Sequence, residues 1–425
     1  MNVPPTAQEA SPPSYAPNGD RDVRHRFPLL DKRGKPWGIL DFGSGARSAK
    51  SIPLFYEDDI IHGSLEMDIE KGDSMRSVTV KVEGSVITGT MVDDRTRFLH
   101  LSTCLWTRKT SPPAVGHAIW PFSISLPREV TIPLSGQQST FRMPQSFLER
   151  NARVTVLYEI SVSLSRGMFR SDSKHDSDTF HAQSQTRPLP LRQRAYRLNR
   201  PLRGPTDDPE GWETSVTAMA HGYVFRTRQA VVQCTLSLAR PLCYTRGSVI
   251  PCWITLTSGD AEALELYGAP DALTIHLRRC VRWKSADMPS MQQVQGNMSL
   301  TAVARAVWWM RSDDPRNDAY TRVLEGELRV PSDLACSSAM GSFSIAYAIA
   351  LGPPDCVGFT PVDRDGDGSP LVSMPVGIAT MYPANGPRPV AYAPPSYDNF
   401  TPHDVAGPSE GVIYTYGGGV NMGRT

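Results

Sequence analysis

Lysine is scarce in this chain: eight of its 44 basic side chains are lysine, at positions 32, 35, 50, 71, 81, 109, 174 and 284, and the rest are arginine. Few amines are therefore open to an isopeptide-linked modifier. Long hydrophobic runs are missing, with nothing near the roughly 18 consecutive apolar residues that cross a bilayer as a helix. The opening Met1-Asn2-Val3-Pro4-Pro5-Thr6 lacks the charged-then-apolar layout of a secretory leader, so the protein is expected in the cytoplasm. The seven cysteines, odd in number and widely spaced, form no disulfide framework or metal-ligand pattern and are expected as reduced thiols buried in strands. In that setting the sequons at Asn297 and Asn399 are idle. A net charge of +1 leaves no excess to neutralise phosphates, which argues against nucleic acid as a partner.

Catalytic patterns are also missing. No Gly-x-Ser-x-Gly elbow, His-Glu-x-x-His pair or phosphate-cradling loop occurs, so no catalytic residue, metal or cofactor is expected. Asp363-Arg364-Asp365-Gly366-Asp367-Gly368 imitates the start of a calcium loop, but its twelfth position is Met374 where a bidentate Glu is required, and the segment reads as a turn. Asp41-Phe42-Gly43 matches a kinase tripeptide without any of the accompanying motifs. His276, between Ile275 and Leu277, reads as the outward residue of an alternating strand.

What is present is a repeated tetrapeptide, Pro12-Pro13-Ser14-Tyr15 near one end and Pro394-Pro395-Ser396-Tyr397 near the other. With 37 prolines and 14 tyrosines in 425 residues, composition alone yields far less than one Pro-Pro-x-Tyr on average. Adjacent prolines pre-form a left-handed extended helix, so little ordering entropy remains to be lost on binding. WW domains exploit this by taking a proline pair across aromatic rings with an aromatic side chain in a neighbouring pocket. Pro12, Pro13, Tyr15, Pro394, Pro395 and Tyr397 are therefore the candidate docking residues.

Between polar, proline-bearing ends the dominant hydrophobic period is two. In Val154–Leu164 the even positions are large and apolar and the odd ones mostly small or polar, which predicts a half-buried strand. Val78, Val80 and Val82 predict another, ending at Gly84; Leu273, Ile275, Leu277 and Phe343, Ile345, Tyr347, Ile349 predict two more. Pro127 and Pro331 close strands. The order in 78–164, ending on the strand with Tyr158, repeats in 273–349, ending on that with Tyr347, and no long helical window intervenes. Two face-to-face β-sandwich modules are the expected result.

Residues 171–212 read as a long polar loop and linker. Within them Arg187–Arg203 carries six arginines with Tyr196 and leucines interleaved. Its Arg187, Arg192, Arg194 and Arg197 are candidate contacts for anionic lipid or acidic peptide, against the alternative of a solvated linker.

The chain resembles arrestin-related proteins of the fungal α-arrestin family over roughly residues 36–382. The resemblance rests on Pro53-Leu54-Phe55-Tyr56-Glu57-Asp58-Asp59-Ile60-Ile61-His62-Gly63-Ser64-Leu65 and Ser77–Gly84. It is most specific in Pro121-Phe122-Ser123-Ile124-Ser125-Leu126-Pro127, then Pro144-Gln145-Ser146-Phe147, then Val156-Leu157-Tyr158-Glu159-Ile160. Cys243-Tyr244-Thr245-Arg246-Gly247-Ser248-Val249-Ile250-Pro251 adds a weaker match. It implies an all-β chain of two immunoglobulin-like arrestin sandwiches joined by a hinge, with disordered tails. The expected division is a tail at 1–35, a sandwich at 36–185, a linker at 186–212, a second sandwich at 213–382 and a tail at 383–425. It further implies a non-enzymatic adaptor that brings a WW-domain HECT ubiquitin ligase to the cytoplasmic parts of membrane transporters or receptors, for endocytosis from the plasma membrane or endosomes. The alternative is an arrestin-fold scaffold that binds cargo without ligase recruitment. Family members often confine the docking motif to the C-terminal tail, and the second copy here is a departure.

An adaptor that holds a ligase becomes its substrate through high effective concentration. Exposed flexible backbone is where modifying enzymes gain access, which ranks Lys174, amid Ser, Asp and His, ahead of Lys32 and Lys35 as ubiquitin acceptors.

Overall fold

Period-two patterning places one set of side chains on each face of a strand, so paired strands bury their common apolar face against a second sheet. The computed structural model describes residues 23–30, 34–70, 74–88, 94–112, 114–134, 136–149, 154–166, 169–177, 195, 197–198, 200, 202–284, 297–310, 314–341, 343–362, 369–380, 382 and 402–404. Among them the chain is almost wholly β and forms two sandwich-like halves.

The first half contains β1 (Val23–Leu30), β2 (Pro36–Ser44), β3 (Ile60–Ile69), β4 (Met75–Ile87), β5 (Arg95–Thr107), β6 (Gly116–Ser125), β7 (Glu129–Leu134), β8 (Gln137–Arg142), β9 (Phe147–Leu148), β10 (Thr155–Arg166) and β11 (Phe169–Ser177). One sheet runs β1-β2-β3-β6 and the other β11-β10-β4-β5, with β9 on β10 and β7-β8 as a separate hairpin. Leu40, Phe42, Ile61 and Leu65 face Val78, Val80, Val82 and the even residues of β10 in a common core. Burying one such side chain fully stabilises by about 1.5–3 kcal/mol.

Four sequence expectations need correction here. Residues 23–30, read as aperiodic tail, form β1, in which His25 and Leu29 are buried; arginines and Pro28 at alternate positions hide the pattern. The strand expected to stop at Gly84 continues to Ile87 across an irregularity between Gly84 and Ser85. A Cβ on Gly84 would lie 2.6 Å from the Phe98 ring and 3.0 Å from Tyr158, so glycine lets those two rings pack edge to face. β10 is buried on both faces: it is a central strand, and even Glu159, Ser161 and Ser163 are covered, Glu159 being ion-paired to Arg95. Finally, residues 171–177 extend β11, paired in register with β10 from Tyr158↔Ser177 to Arg166↔Phe169.

The second half opens with β12 (Trp212–Thr214), β13 (Ala218–Val224), β14 (Arg228–Ala239), β15 (Cys243–Thr245) and β16 (Val249–Ser258). A short helix, α1 (Ala261–Tyr267), follows, with Asp260 as its N-cap accepting from the Glu262 and Ala263 amides. Then come β17 (Ile275–Trp283), β18 (Asn297–Met310), β19 (Thr321–Arg329), β20 (Ser338–Met340), β21 (Phe343–Leu351), β22 (Phe359–Pro361), β23 (Val372–Ala379) and β24 (His403–Asp404). The strands make one curled sheet, β15-β23-β21-β17-β18-β19-β16-β14-β13-β22. β18 turns the corner: Asn297–Arg305 pairs with β17, whereas Ala306–Met310 pairs with β19. An irregularity in the β17–β18 ladder at Leu277/Arg278 accommodates the bend.

The repeat seen in the sequence has a counterpart in the packing. Tyr158 on β10 donates its hydroxyl to the Pro144 carbonyl (2.5 Å), and Tyr347 on β21 donates to Ala335 (2.6 Å). Both rings are 1% exposed, and each tyrosine strand is flanked by a short strand, β9 on β10 and β20 on β21. Burial pushes both phenols well above their ordinary pKa, so the hydroxyls remain protonated donors.

Candidate functional site

Pro12, Pro13, Tyr15, Pro394, Pro395 and Tyr397 lie outside the described residues, as do Lys32, Arg187, Arg192, Arg194 and the Asp363–Gly368 turn. Their points of attachment are described. Tyr15 stands eight residues before Val23, the start of an edge strand, and Tyr397 stands six residues before His403, the start of β24. The two docking motifs thus connect to different halves of the molecule. Lys35 is exposed just before β2, and Arg197 is exposed in a short helical turn. Lys174 is in β11, opposite Ser161, and not in the loop the sequence suggested; its backbone joins an edge ladder of the first half.

The expected linker is ordered at its end. Leu202 and Trp212 are buried with Trp253, Ala239 and Val323, and Trp212 donates from Nε1 to the Arg203 carbonyl (2.8 Å). Arg316 lies over the Trp253 ring and forms a forked pair with Asp314. The last turn of the arginine-rich stretch is therefore fastened to the second half by aromatic burial.

The halves meet through the segment that follows β8. Arg142 at the end of β8 is paired with Glu57, Nε to Oε2 being 2.8 Å. Gln145 then accepts the Cys336 amide through Oε1 (3.1 Å), Phe147 packs on Phe343 with ring centroids 5.2 Å apart, and Glu149 takes a forked pair from Arg279 of β17. Pro144-Gln145-Ser146-Phe147, noted in the sequence only as a resemblance motif, is the clasp between halves. Replacing Glu149 by Ala leaves Arg279 facing the junction without its counter-charge. The expected cost is about 1–2 kcal/mol after allowing for partial solvent access, read as a lowered denaturant midpoint and faster proteolysis between the halves. Arg279→Met added to Glu149→Ala should recover part of that loss.

One charged cluster escaped the sequence reading. On the outer face of β17, His276 and Arg278 point away from the core that Ile275 and Leu277 enter. Burial first, then the charges of Arg305, His403 and Arg278, lower the His276 pKa to about 4. The His276 and His403 rings meet edge to face, 5.9 Å between centroids. The alternation placed His276 outward, as observed, but gave no sign that β24 would return to lie against β18 beside it.

No family model matches the chain, and no curated protein matches it. Among the described residues no group of His, Cys, Asp and Glu is gathered closely enough to hold a metal ion, and no helix is long and apolar enough to cross a membrane. Asp41-Phe42-Gly43 lies in β2, with Phe42 in the core and Asp41 paired to Arg24. Cys104 is exposed and Cys356 half-buried, which departs from the expectation that every thiol is buried; the other five are buried, and all seven are free.

Proposed function

We propose that this protein is a non-enzymatic, arrestin-type adaptor that recruits a WW-domain HECT ubiquitin ligase through its two Pro-Pro-x-Tyr motifs and presents it to the cytoplasmic parts of membrane transporters or receptors. The observation that carries the reading is the pair of motifs, Pro12-Pro13-Ser14-Tyr15 and Pro394-Pro395-Ser396-Tyr397, flanking a two-sandwich β chain. The sandwich pair supplies a broad, preformed surface for cargo, and the motifs supply the ligase contact. Ubiquitination and endocytosis of the cargo follow from that pairing, with action in the cytoplasm and on recruitment to the plasma membrane or endosomes. The resemblance of Pro121–Pro127, Pro144–Phe147 and Val156–Ile160 to α-arrestins supports the same reading.

Self-modification tests it. Protein from proteasome-inhibited cells is expected to carry diglycine remnants on Lys32 and Lys35 near the N-terminal motif first, and on Lys174 after them, because its backbone is paired in the β11 ladder and not in the flexible loop expected from the sequence. Mass spectrometry reads the sites. Remnants confined to the other five lysines would reject the ranking, and none at all on ligase-bound protein would favour a scaffold without ubiquitin chemistry.

A further inference from the structure

Arg278 is 7% exposed, yet its Nε and Nη1 are buried without any hydrogen-bond partner. A guanidinium whose donors are removed from water and left unpaired is costly, and a bound counter-ion would offset that cost. Its surroundings in the ladder have one character. Across four strands, one row reads Ser373, Ala350, His276, Arg305, and the next reads Pro375, Ala348, Arg278, Ala302, with His403 of β24 at its end. Directly paired residues share a face, so the alanines form a floor beneath a rim of donors. Ser373 Oγ is buried without a partner as well. Arg305 spends one arm on the Asp271 carbonyl (2.9 Å). The groups acting electrostatically on His276 are Arg305, His403 and Arg278, all cationic or neutral.

From this juxtaposition we infer an oxyanion site on the outer face of the second half's sheet, in which Arg278 and Arg305 grip a phosphate-type group with Ser373 and His276 as neutral donors. An arginine fork matches the geometry of a tetrahedral oxyanion, and an anion there would complete both orphaned side chains. The site shares no residue with the Pro-Pro-x-Tyr motifs or with Arg187–Arg197, and it does not depend on the adaptor reading. The same chemistry is offered by a free phosphate ester and by a phosphate-bearing lipid headgroup.

The full chain and its Arg278→Met variant are titrated with inorganic phosphate, with chloride at matched ionic strength as control, following thermal stability and the His276 ring signals by NMR. Phosphate is expected to stabilise the wild type and raise the His276 midpoint above about 4, and Arg278→Met is expected to weaken binding by roughly 10- to 100-fold. In phosphate-free buffer Arg278→Met should be at least as stable as the wild type, because it removes an unpaired buried charge. Arg305→Met, whose side chain is less buried, serves as a second variant and should weaken phosphate binding with the fold intact. Vesicles of phosphatidylcholine with and without phosphatidic acid separate the sources: Arg278-dependent sedimentation only with phosphatidic acid assigns the site to a headgroup, and its absence beside phosphate binding assigns it to a soluble ester. Phosphate binding that is absent from the wild type, or equal in wild type and variants, overturns the site.

Discussion

Replacing both Tyr15 and Tyr397 by alanine is expected to abolish binding to a protein carrying tandem WW domains, whereas either change alone weakens it. The two motifs are reached from different halves, Tyr15 through β1 and Tyr397 between β23 and β24, so one ligase bearing several WW domains can engage both ends of one adaptor. Once the first motif is bound, the second binds from an effective concentration set by the chain, and linkage raises avidity by roughly 10²- to 10⁴-fold over a single site. Loss of one tyrosine should therefore forfeit a factor of that order, and loss of both should leave only background. Calorimetry or surface plasmon resonance with purified full-length chains measures it. Undiminished binding by the double variant would remove the docking motifs from the account.

The second large effect concerns the tyrosine anchors. Tyr158→Ala and Tyr347→Ala are each expected to cost about 3–5 kcal/mol, the usual loss for deleting a fully buried aromatic side chain. Tyr→Phe at either position keeps the ring and deletes only the hydroxyl, leaving the Pro144 or Ala335 carbonyl without that donor, for about 1–2 kcal/mol. Tyr158 also holds Phe98 over Gly84, so its loss should loosen β4 and β5, while Tyr347 sits against β17 at Arg279, next to the junction. Chemical denaturation followed by hydrogen exchange checks both size and location. Alanine variants within about 1 kcal/mol of the wild type would contradict the packing described.

The sequence showed the strands where large apolar residues alternate with smaller or polar ones: β21 and most of β4 and β10 are visible as every-second-residue apolar patterns, although β10 is covered on both faces. It failed where pairing rather than patterning makes the strand. β11 consists of Phe-Arg-Ser-Asp-Ser-Lys-His-Asp-Ser, a composition poor in strand formers, and it exists because β10 offers a free edge. α1 went unread, because its seven residues are too few for a periodic signal. The junction was hidden for another reason. Glu149 and Arg279 are 130 residues apart, and no local pattern announces a long-range ion pair. Arg278 was hidden because a charged residue at an outward position of a strand ordinarily faces water, and only the covering of that face shows otherwise. The Pro-Pro-x-Tyr repeats are the converse case: the docking role proposed for them rests on the sequence alone, because such chemistry is local and requires no fold, and both copies lie outside the described residues.

The adaptor reading meets its most direct test in the native cell, by proximity labelling with the intact chain and with the Tyr15→Ala, Tyr397→Ala variant at equal expression. The intact chain is expected to label a WW-domain HECT ligase together with membrane transporters or receptors, and the variant is expected to lose the ligase while keeping the membrane proteins. A ligase labelled equally by both chains, or by neither, would contradict the account.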